Sequence, residues 1–275
     1  MIPIVYLTFH ETRKAYYYGE QIFLRSLLED TGILERKDSL QGLSGAVVSI
    51  RACDNYKYID RINEELSKLK WCVVIITGNE NSTNFHTQID HPNCLKWLQT
   101  PRIGDDADYF LGFGWPTNDI LNKSEDRDRD IKMSFSGQVN NNSRKICIEQ
   151  LKNLKNTKVI ETKGFNQGLP YLEYLELLKR SEYIACPSAI TTPDSFRIYE
   201  ALEVGSVPIL DTQTHEQFSY IWGGNPLICV SDWHKLGLVY LLDFEIMQNR
   251  CQIWWADRKK KIVDDLLLHI KSIIS

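Results

Sequence analysis

The chain has 275 residues, 43% of them hydrophobic and 25% charged, with a formal net charge of −4 and an isoelectric point near 5.9. That is the composition of a folded globular protein rather than a disordered one, with length for one large domain or two ordinary ones. The acidic balance gives no global field for polyanions, which argues against tight non-specific nucleic-acid binding.

The opening run from Met1 to Leu7 has no basic leader, so it reads as a first strand rather than a signal peptide. No apolar run approaches the roughly 20 residues of a membrane span, and a soluble protein with no membrane span is expected. Seven cysteines stand at 53, 72, 94, 147, 186, 229 and 251, an odd number with no C-x-x-C pair. Several lie inside apolar runs, where a reduced thiol packs as a small hydrophobe, and a cytoplasmic location is the simplest expectation.

In chain order, residues 4–8 form an apolar run fit for a buried strand, and 18–28 carry the spacing of an amphipathic helix. Strands are predicted over 46–50, 71–77 and 94–99, with a helix over 58–69 between the first two. Residues 122–130 are all polar and read as a hinge. A second series then begins: strands over 133–136, 158–161, 183–186, 207–210 and 227–230, with helices over 143–154, 170–180 and 195–204. The tail from 233 to 274 is mostly helical in pattern. The alternation predicts two parallel sheets, each with helices on both faces.

Two segments carry the chemistry. In the first, a strand ends in Ser136-Gly137-Gln138 and Arg144 follows in the next helix. A glycine lets the backbone approach a ligand closely, the helix turns amides toward the same place, and an arginine supplies a fork for a diphosphate. Turn geometry alone also accounts for Ser-Gly at such a position. In the second, a strand delivers Pro187 and Ser188, and Asp194 or Ser195 caps a helix containing Phe196, Arg197 and Glu200. The helix start suits a phosphate. Arg197 supplies a cation for it, and Glu200, three residues on, a carboxylate for a ribose hydroxyl. The plain alternative is an ion pair on a helix surface, worth little. Gly205 ends that helix and Pro208 lies in the following buried strand.

The run from Leu178-Lys179-Arg180 through Pro187, Ser195-x-Arg197-x-x-Glu200-Ala201 and Gly205-Ser206-Val207-Pro208 resembles the C-terminal lobe of exostosin-like glycosyltransferases. Ser134-Phe135-Ser136-Gly137 followed by Arg144 fits the opening strand of the same lobe. The resemblance covers residues 130–215 well and the first half only in general pattern. It implies an α/β fold of the GT-B type: two Rossmann-like lobes facing across a cleft. Residues 1–125 would form the acceptor lobe and 131–245 the nucleotide-sugar lobe, with the helix 246–275 packing back on the first. It also implies an enzyme that transfers a sugar with inversion, generally from a UDP-sugar; with the metal-like spacings weighed below, transfer without metal and with no cofactor beyond that co-substrate is expected. The donor contacts it assigns are Ser136, Gly137, Arg144, Ser195, Arg197 and Glu200, and Gln138, Pro187, Ser188, Asp194 and Phe196 lie in the same segments. The chain is shorter than typical members, and the family's usual membrane anchor and secretory cysteines are not seen. The acceptor is therefore open between a glycan and a hydroxymethylated DNA base. No obligate protein partner is implied.

An inverting transferase needs a base for the acceptor proton. Ligands of open α/β sheets sit beyond the carboxyl ends of strands, so the segment after the first strand is the place to search. His10 has a suitable ordinary pKa, and Glu11 or Glu20 would serve if burial raised theirs; a plain polar loop is the alternative. Asp106-Ala107-Asp108 and Asp126-Arg127-Asp128-Arg129-Asp130 imitate an Asp-x-Asp metal signature, but neither directly follows an apolar strand. His86 and His91 lack the spacing of a zinc pair. Trp254-Trp255 with Lys259-Lys260-Lys261 reads as terminal-helix packing with a solvated basic face rather than a nucleic-acid platform. A two-lobed nucleotide or sugar-phosphate receptor without turnover is the rival to the enzyme.

Overall fold

A computed structural model describes residues 1–9, 19–30, 32–79, 84–121, 128–164, 167–189 and 192–275, except for the side chains at 19, 20 and 54. The chain divides into two compact units, Met1–Pro116 with Arg258–Ser275, and Thr117–Asp257.

The first unit holds a six-stranded, all-parallel sheet in the order β2-β1-β3-β4-β5-β6. Its strands are β1 (Ile2–Leu7), β2 (Leu34–Arg36), β3 (Gly45–Arg51), β4 (Trp71–Thr77), β5 (Cys94–Gln99) and β6 (Tyr109–Leu111). Helices α1 (Gly19–Leu28), α2 (Ala52–Asn55) and α3 (Ile59–Leu66) connect them. β3 and β4 are buried along nearly their whole length, as central strands covered on both faces must be, and their side chains are correspondingly apolar. α3 buries Ile62 and Leu66, which fall on one helical stripe. β2 and β6 were not predicted. Each has three residues, too few to carry a period, and each forms an edge of the sheet.

The second unit holds a five-stranded parallel sheet in the order β11-β10-β9-β7-β8. Here β7 is Ile131–Gln138, β8 Thr157–Thr162, β9 Ser181–Cys186, β10 Val207–Asp211 and β11 Ile228–Val230. The helices are α4 (Asn142–Asn153), α5 (Tyr171–Arg180), α6 (Phe196–Glu203), α7 (Thr212–Trp222) and α8 (Phe244–Ile274). α7 was not predicted: its sequence opens Thr-Gln-Thr, and threonine is a poor helix former. What starts it is the Asp211 carboxylate, which accepts the Thr214 amide at 2.8 Å. Gly205 closes α6 at φ +73°, the left-handed position expected of a residue that ends a helix.

The predicted hinge needs correction at its described end. Arg129 donates to the carbonyls of Ser181 and Val204 and to the Ser206 hydroxyl at 2.6–2.8 Å, so its guanidinium ties β9, α6 and β10 together. Asp130 receives both nitrogens of a fork from Arg180. Arg129 thus finds backbone carbonyls in place of water, whereas the Asp130–Arg180 pair stays on the surface. The rest of the segment, 122–127, lies outside the described residues. The unit boundary falls at 116/117, ahead of the expected 125, because the turn 118–121 packs on α6. At the other end the boundary lies inside α8, with Arg258–Ser275 in the first unit, where the Trp97 indole donates to His269 at 3.0 Å. Trp254 and Trp255 donate to the Gly224 carbonyl and the Glu203 carboxylate, which is packing, as the sequence led one to expect.

Candidate functional site

In the second sheet β8 lies on one side of β7, while β9, β10 and β11 lie on the other. The chain therefore reverses direction of growth between β7 and β9, and their carboxyl ends diverge there. Open parallel sheets bind ligands at such a switch point. The residues delivered to it are Gly137 and Gln138 from β7, and Pro187 and Ser188 just past β9.

Arg197, in the first turn of α6, lies against the end of β7. Its Nη2 donates to the Ser136 carbonyl at 2.7 Å, and its guanidinium carbon sits 4.7 Å from the Phe135 ring centre. Gly137 makes room for it: φ is +155°, and a Cβ there would stand 2.4 Å from Nη2. The other two guanidinium nitrogens, Nε and Nη1, are buried and have no hydrogen-bond partner among the described residues. Neither does the buried hydroxyl of Ser195, the N-cap of α6, whose side chain makes no capping bond. Each such group costs about 1–3 kcal/mol, more when charged, so three together within three residues call for an explanation.

Arg144, in the first turn of α4, is a different case. It is 7% exposed, donating from Nε to the Ser188 carbonyl at 3.1 Å and from Nη1 to the Gln138 carbonyl at 3.1 Å. Asn141 caps α4 through the Arg144 amide and also donates to the Ser188 carbonyl. Together these two residues stitch the ends of β7 and β9 to each other. Burial, and then the nearby charge of Arg197, pull the Arg144 guanidinium down to about 10, so it still carries its charge at neutral pH.

Both predicted carboxylates turn inward. Asp194 is 1% exposed and accepts from its neighbour's amide, Ser195 N, and from the Tyr199 hydroxyl, each at 2.9 Å. Glu200 is 4% exposed; Oε1 accepts from Tyr171 at 3.1 Å and Oε2 from Tyr174 at 2.8 Å. Burial, the larger effect, holds its pKa above the ordinary carboxyl value, opposed by those two hydroxyls and by Arg197. Arg197 and Glu200 form no ion pair, so the surface-pair alternative does not describe them.

The sequence reading also missed Asp211, at the end of β10. Its Oδ2 accepts the Ser188 amide at 2.9 Å and the Ser143 hydroxyl at 2.6 Å, fixing the loop after β9. Burial pushes this carboxyl up, but its hydrogen bonds outweigh burial and hold it below the ordinary value. An Asp at the end of an apolar strand, three residues before a Thr, was the available signal. Tyr171 and Tyr174 gave no such signal, since their meaning depends on where α6 lies.

In the first unit the switch point falls between β1 and β3. There Asn55 accepts the Phe9 amide and donates to the Arg51 carbonyl, while Gln21 donates to Ser49. His10 and Glu11 lie outside the described residues, as does the side chain of Glu20 in α1. The Asp-x-Asp imitation at 106–108 has a local use: Asp108 accepts the Lys96 amide at 2.7 Å. Asp126 lies outside the described residues. His86 is buried and His91 contacts the Leu69 carbonyl. No group of three or more metal-ligating side chains occurs among the described residues, and no described helix is long and apolar enough to cross a membrane.

The family model described as RXYLT1 C-terminal domain matches residues 114–264. Among solved structures, the chain is similar to AviGT4, a glycosyltransferase involved in avilamycin A biosynthesis. That match is 10% identical, covers 96% of this chain and 98% of the other, and has a TM-score of 0.44. It is also similar to an α-glucosyltransferase (AGT) in complex with UDP, at 10% identity, 99% and 93% coverage and a TM-score of 0.36. A search of curated proteins found no match.

Proposed function

The chain belongs to the RXYLT1 C-terminal domain family of exostosin-like glycosyltransferases, and from that premise we propose that it moves a sugar from a nucleoside-diphosphate sugar, a UDP-sugar, to an acceptor hydroxyl. The observation that carries the donor assignment is the buried, half-satisfied guanidinium of Arg197 beside the Ser195 hydroxyl, which has no partner among the described residues, at the switch point of the second sheet. Unmet donors with a positive charge among them are what an anionic group would complete.

In this reading the diphosphate lies at the amino end of α6. Arg197 and Ser195 donate to it, and Gly137 leaves space for the guanidinium. Arg144 braces the two loops and adds charge from behind, close enough for Arg197 to depress its pKa. As the bond to the anomeric carbon breaks, negative charge grows on the leaving diphosphate. Groups already fixed around it stabilise that charge without reorganising. Two fixed guanidinium charges supply this in place of a metal ion. The acceptor oxygen attacks the opposite face of the anomeric carbon, giving inversion, while a base takes its proton. That base is assigned to the segment after β1, His10 first, with Glu11 and Glu20 as substitutes. The acceptor is a glycan or a hydroxymethylated DNA base.

A thermal-shift screen across UDP-, GDP- and dTDP-sugars, followed by a nucleotide-release assay with candidate acceptors, tests the proposal. A transferase is stabilised by its donor through mass action and releases the nucleoside diphosphate when the acceptor is supplied. A receptor would be stabilised and release none. A protein indifferent to every nucleotide sugar would overturn the donor site itself.

A further inference from the structure

Glu200 is a carboxylate with almost no solvent, held by two phenols from a neighbouring helix. Tyr171 and Tyr174 stand three apart in the first turn of α5, so both side chains fall on one face of that helix. Their rings lie 6.0 Å apart, and each hydroxyl donates to a different oxygen of the same carboxylate. These two are the donors to Glu200 among the described residues. An ionised carboxylate has about four acceptor positions, so two are left after the tyrosines are counted. The diol of a ribose presents two hydroxyl donors.

We infer that Tyr171 and Tyr174 are positioning residues, which fix the Glu200 carboxylate in orientation and in its ionised form to receive the ribose hydroxyls of a nucleoside diphosphate. The inference rests on the reading that the second unit grips such a nucleotide through Arg197. Its physical basis is the opposition of two effects. Burial favours the neutral acid, whereas hydrogen bonds to the charged form favour the carboxylate. The groups facing Glu200 are Tyr171 and Tyr174 from α5, Arg197 from its own helix and Cys186 at the end of β9; Asp119, in the turn 118–121, faces Tyr171. Of these, the tyrosine hydroxyls and Arg197 favour the carboxylate; the Cys186 thiol, itself pushed up to about 12 by burial, is neutral at physiological pH. Replacing a phenol by a phenyl ring removes one donor and keeps the packing. The remaining carboxylate is then easier to protonate and freer to turn.

The experiment measures the affinities of UDP and GDP, and of their 2′,3′-dideoxy counterparts, across pH for the unaltered protein, Tyr171→Phe and Tyr174→Phe. The unaltered protein should prefer the ribose form. Tyr174→Phe, which loses the shorter bond, should weaken binding of the ribose form roughly tenfold at neutral pH and leave the dideoxy form unchanged. The acidic limb of its binding profile should move to higher pH. Tyr171→Phe should do the same to a smaller degree. Equal losses for both sugar forms, or no loss with an unmoved acidic limb, would overturn the inference while leaving the nucleotide grip in place. Absence of any nucleotide binding by the unaltered protein would overturn the grip and the inference with it. Should Tyr174→Phe fail to fold, Tyr171→Phe decides on the same criteria.

Discussion

Two helices of the second unit start at the same switch point and start alike in sequence. α4 opens with an Asn cap and an arginine three residues on, at Asn141 and Arg144; α6 opens with Ser195 and Arg197. In α4 every device is used internally: Asn141 caps the helix, and the guanidinium is spent on the carbonyls of Gln138 and Ser188. In α6, among the described residues, the side chain of the cap residue Ser195 has no hydrogen-bond partner and two buried nitrogens of the Arg197 guanidinium are unmatched. Like chemistry at two helix starts thus gives a satisfied brace in one case and buried donors without partners among the described residues in the other. An arginine near a helix start is therefore weak evidence of a ligand; an arginine whose donors are buried and unmet is stronger.

The comparison can be broken most readily through the two arginines. Arg144→Ala should lower stability by about 3 kcal/mol, because it strands buried carbonyls and unlinks the ends of β7 and β9; denaturant unfolding measures this. Arg197→Ala should leave stability within about 1 kcal/mol, since it also removes two unmet donors, yet weaken UDP binding by roughly 2 kcal/mol, about thirtyfold. The opposite pattern, with Arg197 structural and Arg144 decisive for nucleotide, would reverse the roles of the two helices. A smaller effect separates the caps. Asn141→Ala should cost about 1 kcal/mol of stability, whereas Ser195→Ala should stay within about 0.5 kcal/mol, having no capping bond to lose.

A pH-dependent effect concerns Asp211, which fixes the Ser188 loop beside both helices. Its folded pKa lies below the unfolded value, so its contribution to stability is present above the unfolded carboxyl pKa and fades as pH falls through the folded one. Asp211→Asn should therefore be less stable than the unaltered protein at neutral pH, with the difference shrinking in acid. Unfolding curves from pH 7 down to the acid limit test the sign. A gap that widens on acidification would contradict the assigned hydrogen bonds.

Much of the scaffold was legible without coordinates. The central strands are long apolar runs bounded by turn residues, and β3, β4, β7 and β9 fall within a residue or two of the predicted ranges. α7 and the edge strands β2 and β6 escaped because their formation depends on a carboxylate cap or on a neighbouring strand, not on a local period. At the site, the order Ser136, Gly137, Arg197 was visible, since a glycine after a strand and a cation after a helix cap are local signs. The inward turn of Asp194 and Glu200 was not, because it takes Tyr199 from one side and the α5 tyrosines from the other.

The amino-acid sequence by itself determined the alternation of strands and helices, and which residue types stand near each helix start, because those follow from short-range periodicity and backbone preference. Only the tertiary structure decided which of those polar groups lose water and find a protein partner, and which lose water and find none. That difference depends on what packs against a group from far along the chain. Arg144 and Arg197 therefore look alike in the sequence and differ in the fold.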